Sequence, residues 1–162
     1  MEMPERYSHR HPDLAEYLAV QVPDATDIDE LAARFTAAAI LAAEWTHLAH
    51  LRVGAWHVHH LGPEVALVRL RTGIRALNQA HGTVNSGNRG YHETITAAYV
   101  RFIAQFLASC PFEMPFRTRV EELLSSTVAQ PAVLLCFYSR EVLMSARARK
   151  QWVEPDLAPI PG

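Results

Sequence analysis

Cysteine is scarce in this 162-residue chain: there are two, Cys110 and Cys136. Two thiols so far apart, each among apolar neighbours, make neither a disulfide framework nor a thiolate metal knuckle, and both read as reduced core residues of a cytoplasmic protein. Lysine is rarer still. Lys150 stands alone beside fourteen arginines, and the formal net charge is −2. No basic stripe of the kind that tracks a phosphate backbone arises, which argues against nucleic acid as a partner. Apolar runs of membrane-spanning length are missing, so no membrane partner is expected. The polar, acidic start Met1-Glu2-Met3-Pro4-Glu5-Arg6 lacks the charged-then-apolar order of a secretory signal. Also missing is any useful stretch alternating apolar and polar residues with the two-residue period of a half-buried strand. Ala132 to Phe137 is the one ambiguous run. The expected class is all-α.

About half the residues are apolar and a fifth are charged, the balance of an ordinary globular chain, and the length suits one domain with a full core. The expected organisation is a preface over 1–26, a helical bundle over 27–150 and a tail over 151–162. In the preface, Asp13 to Val20 suits a short helix ended by Pro23. Asp27-Ile28-Asp29-Glu30 reads as a helix start with acidic residues in its first turn, running through Leu31 and Phe35 toward the alanine-rich stretch Ala37 to Ala43. That helix either continues into Trp45 or gives way to a fresh one, capped by Thr46, from His47 to His60. Gly62-Pro63 ends the segment firmly. Pro63 to His81 is the clearest amphipathic helix, with Leu67, Leu70, Ile74 and Leu77 on one face and Gly82 in the place of a left-handed cap. Arg71, Arg75 and Asn78 read as its solvated face.

The polar loop Thr83 to Gly90 has little in sequence to anchor it and suits a lid at the start of the next helix. That helix spans Tyr91 to Ala108, through Ile95, Tyr99, Phe102, Ile103 and Phe106. Arg117 to Ser126 forms a short one, and Pro131 to about Lys150 reads as helical with a break at Ser145. The tail Val153 to Gly162 is too rich in proline for a helix and is expected to run extended.

Nine histidines are the other excess. His47 and His50, three residues apart, share a helix face. His92, read in helical register with Thr96, Tyr99 and Ile103, points into the bundle from a facing helix. Glu93 lies about 100° round from it. These four make a candidate coordination sphere for a divalent first-row metal, with zinc, iron and copper all suited to imidazole and carboxylate donors. In that reading His92 and Glu93 carry the catalysis, Glu93 as ligand or as general base toward a small-molecule substrate. Hydrolysis and oxidation both stay open. His57 shares the stripe, with Gly54 between. It lies roughly 10 Å along the axis from His50, too far for one ion, and reads as supporting or structural. Glu44, three residues before His47, is a spare carboxylate. His59 and His60 complement a helix end, and Trp45, Trp56 and Trp152 read as core and edge aromatics.

The alternative is a metal-free helical module that binds a small ligand or a partner, its histidines acting as hydrogen-bonding core residues or as a pH switch. Metal-free acid-base catalysis by a His92 oriented by Glu93 is a third option, and a homodimer remains open.

Trp45-Thr46-His47-x-x-His50-Leu51, Tyr91-His92-Glu93-Thr94-Ile95-Thr96 and Trp152-Val153-Glu154-Pro155, together with Ile74-Arg75 and Asn78, resemble the motifs of a family of small bacterial helical proteins. The resemblance covers about residues 35 to 160. It implies that His47, His50, His92 and Glu93 act together, and it brings no reaction with it. A looser likeness to HD-type phosphohydrolases departs at the metal-binding His-Asp pair, which is His92-Glu93 here.

Overall fold

Local caps set where the helices of the computed structural model, which describes residues 27–161, begin and end. Among these residues there is no strand, and seven α-helices carry the fold, as an all-α class requires. The helix expected over Asp13 to Val20 lies outside the described residues. Helix α1, Ile28–Thr36, opens with the Asp27 carboxylate accepting from the Asp29 amide at 2.9 Å. It stops well short of Trp45 despite the alanines that come after it. Ala38 takes a positive φ of 51°, and the turn drives Ile40 into the core, where its carbonyl meets the His81 ring at 2.8 Å. Burial of one large side chain is worth about 2 kcal/mol, more than the small helix propensity of a few alanines. An ion pair between Arg34 and Glu44, whose carboxylate also accepts from the Leu41 amide, closes the turn.

Helix α2, His47–Leu61, is therefore the fresh helix, with the Thr46 hydroxyl accepting from the Ala49 amide at 3.2 Å. It ends at Gly62, whose φ of 77° only glycine adopts cheaply, and Pro63 starts α3, Pro63–Ala80. Helix α2 is buried on nearly every side and packs against α1, α3 and α4, the last being Glu93–Ser109. It is the central rod of the bundle. Helix α5, Phe116–Leu124, closes one end against α2 and α4.

Beyond α5 the expectation of a helix from Pro131 to Lys150 is corrected. The chain makes two 3-10 turns, Thr127–Ala129 and Val133–Cys136, and then two short helices, α6 (Arg140–Leu143) and α7 (Ala146–Lys150). Ser139 and Ser145 cause the division: each hydroxyl accepts from the backbone amide three residues on, at 3.2 and 3.1 Å, starting a new helix where an old one would have continued. Among the described residues past Lys150 there is neither helix nor strand. That segment is tied down by Tyr138 Oη donating to the Val153 carbonyl and by the Leu157 amide donating to the Phe137 carbonyl. Cys110 and Cys136 are half-buried free thiols. No helix among the described residues is long and apolar enough to cross a membrane.

Candidate functional site

Because Thr46 starts α2 where it does, His47 and His50 stand in its first turn and both reach inward. The His50 Nδ1 lies 2.7 Å from the Thr46 carbonyl, and its ring packs on Trp45 with centroids 3.7 Å apart and the planes tilted by 31°. The His47 Nε2 lies 2.9 Å from the Ala129 carbonyl, and the edge of its ring meets Tyr99 at 5.5 Å. A carbonyl oxygen only accepts, so the nitrogen facing it carries the proton and the other nitrogen is a bare base. His50 therefore keeps Nε2, and His47 keeps Nδ1, as an acceptor. Burial holds both imidazoles below their ordinary titration range, His50 down to about 4, so both are neutral near pH 7.

Both rings line a cavity of about 390 Å³ between α2, α3 and α4. Its walls are mainly aliphatic, from Leu51, Leu70, Ile74, Ile95 and Ile103, with Trp45, Thr46, Thr96 and Tyr99 on the imidazole side. Gly54 also faces it, and a Cβ there would come within 2.8 Å of Ile103 Cδ1. The size and mixture suit a small organic molecule.

His92 and Glu93 serve elsewhere. The expectation of a helical His92 sharing a face with Thr96 is corrected: it is the cap that precedes α4, with φ −135° and ψ 109°. Its Nδ1 accepts from the Ile95 amide at 3.3 Å and its Nε2 donates to the Leu143 carbonyl at 2.8 Å, so both ring nitrogens are occupied. Burial lowers its titration range too. Glu93 accepts from Arg71 at both oxygens, 2.9 and 2.6 Å, and from the Tyr91 hydroxyl at 2.8 Å. The Arg71 guanidinium holds the carboxyl below its usual range, and burial together with this carboxylate pushes the Tyr91 phenol up.

Arg71 is thus not part of a solvated face. Arg75 stays exposed as expected, its guanidinium 4.8 Å above the Tyr91 ring, while the half-buried Asn78 donates to Asn85 at 2.9 Å. Asn85 also accepts from the Tyr91 amide and donates to the Arg75 carbonyl, which pins the glycine-bearing loop expected to lack anchors. Gly90, with φ 80°, permits this closure, since a Cβ there would lie 2.6 Å from the Val84 carbonyl.

The four expected ligands fall in two places, His47 and His50 at the cavity, His92 and Glu93 in protein hydrogen bonds. Among the described residues, no group of three or more His, Cys, Asp or Glu side chains is arranged to hold a metal ion. As a four-donor sphere they do not fit, because His92 has no nitrogen left to give and Glu93 is engaged at both oxygens. His57 is structural: its Nδ1 donates to the Val53 carbonyl at 2.8 Å and its ring packs on Phe35 and Trp56. His59 and His60 are exposed near Phe116, His59 stacked on it at 4.1 Å. Trp56 donates to Asp29, and Trp152 donates to Glu154 beneath the Arg101 guanidinium.

The cavity walls are not legible in sequence because Leu70, Ile74, Ile95 and Ile103 carry the same periodic signal as any core position. Gly54 between two histidines is the only hint of space. No protein-family model, curated protein or solved structure matches the chain.

Proposed function

We propose that this protein binds a small organic molecule in the cavity between α2, α3 and α4. The observation that carries this reading is the pairing of a 390 Å³, mainly aliphatic space with two imidazoles whose remaining nitrogens are bare. An apolar body and a few placed polar atoms are the usual composition of such a site. A panel of apolar fragments, screened by thermal unfolding, tests it. At saturation a hundred times above Kd, a ligand of the folded state adds about 3 kcal/mol of stability. The Ile95→Trp variant, which fills the cavity from α4, is expected to lose that shift. No shift with any fragment, or equal shifts in wild type and variant, would sink the reading.

A second reading, a metal-dependent enzyme acting on the same molecule, has one observation in its favour. His47 and His50 each give one ring N–H to a backbone carbonyl and keep the other nitrogen free, which is how the tautomer of a metal-bound histidine is commonly fixed. Under it these two imidazoles hold zinc, iron or copper, and His92 and Glu93 stay in their protein hydrogen bonds. The metal supplies Lewis acidity or redox chemistry when bound. Elemental analysis of untagged protein decides: a stoichiometric metal lost in His50→Phe and retained in His92→Asn supports it, and metal-free protein whose stability ignores chelator overturns it.

A further inference from the structure

The polar atoms of the cavity are few enough to specify what enters it. None of the described residues that line it is Asp, Glu, Lys or Arg. A charged group moved into it would lose hydration without a counter-charge to replace it. Among the acceptors, the bare Nε2 of His50 and Nδ1 of His47 are set by the carbonyls that hold the opposite nitrogens. The Thr96 hydroxyl already gives its proton to the His92 carbonyl at 2.8 Å, so toward the cavity it too offers only lone pairs. The Tyr99 hydroxyl gives its proton to the Gln130 carbonyl at 3.4 Å, so the side-chain donors among the described lining residues are the Thr46 hydroxyl, which itself accepts from Ala49, and the Trp45 indole N–H. A ketone, ether or nitrile would set acceptor against acceptor at the imidazoles. A hydroxyl satisfies them, and its own lone pairs remain for Thr46 or Trp45.

Resting on the cavity reading above, we infer that the ligand is an uncharged molecule with an apolar body and a hydroxyl group that donates to Nε2 of His50. His50 is the better anchor of the two because the Trp45 ring packed against it and the Thr46 carbonyl together fix its ring plane. The hydroxyl proton is held in this bond and not transferred, so nothing beyond binding is implied.

Three matched probes separate this inference from the reading beneath it: 2-naphthol, 2-methoxynaphthalene and 2-naphthoate, titrated into the full chain by calorimetry at pH 7.5. The naphthol is expected to bind about tenfold tighter than the methyl ether, the difference one hydrogen bond supplies, and the carboxylate more weakly than either. In His50→Phe, which keeps a ring against Trp45 and removes the acceptor, the naphthol falls to the level of the ether. Equal binding of naphthol and ether in wild type, or tightest binding of the naphthoate, overturns the hydroxyl inference while leaving the cavity reading intact. If none of the three binds and the fragment panel also fails, the cavity reading falls and the inference with it. Should His50→Phe not fold, the wild-type ratio alone decides.

Discussion

Arg71 and Glu93 share one ion pair but not one environment, with side chains 34% and 10% exposed respectively. Their loss should therefore be unequal. Removing Glu93 leaves a guanidinium that can turn to water, whereas removing Arg71 leaves a nearly buried carboxylate with only the Tyr91 hydroxyl. Urea denaturation is expected to show Glu93→Gln costing about 1 kcal/mol and Arg71→Ala about 2 to 3 kcal/mol, discounted from the fully buried case because Arg71 is partly wet. The reverse order would refute the assignment of Glu93 as the enclosed partner. The same pair shows why composition misleads: an arginine on a helix face looks solvated until a carboxylate 22 positions later folds over it.

Helix packing turns on two glycines that a propensity scale would penalise equally. Gly73 of α3 lies against Phe35, which is only 1% exposed, and a Cβ there would come within 2.3 Å of two ring carbons. Gly54 of α2 meets Ile103 Cδ1, the far end of a flexible side chain. Alanine at Gly73 must displace a ring with nowhere to go, a cost of about 1 to 3 kcal/mol. Alanine at Gly54 gains about 1 kcal/mol of helix propensity and needs only a rotamer change, so its net effect is near zero. Equilibrium unfolding of the two variants checks this, and equal losses would contradict the packing described. Helix starts differ just as sharply in how far sequence reveals them. Asp27, Thr46 and Pro63 are readable as caps because their chemistry acts within three residues of itself. His92 is not, since an imidazole capping the next helix looks the same in sequence as one inside it.

For the molecule as a whole, acid is the revealing perturbation. His47, His50, His57 and His92 are each held neutral by burial, His50 titrating near 4 against 6.5 in an unfolded chain. Between these values the unfolded state binds more protons, so stability is full above pH 6.5, falls as pH drops toward 4, and loses nothing further from His50 below that. His50 alone accounts for up to about 3 kcal/mol of that loss. Glu93, held low by Arg71, adds its own loss at still lower pH, as the carboxylate is protonated. Denaturation midpoints at pH 7.5, 5.5 and 4.5 are expected to fall in that order and to fall less steeply in His50→Gln. A profile flat from pH 7.5 to 4.5 would contradict the burial of these rings.

What the chain determined by itself is local: an all-α class, from the lack of any two-residue alternation, and the end of α2 and both ends of α3, from caps and breakers that act on their own backbone. The division of the histidines was decided only in three dimensions. His47 and His50 face a cavity and His92 does not, because the Ala129 and Leu143 carbonyls, 82 and 51 positions away, claim one nitrogen of His47 and the second nitrogen of His92. Spacing tells which side chains can point the same way, but a ring nitrogen is free or spent according to partners that only folding brings within hydrogen-bond reach.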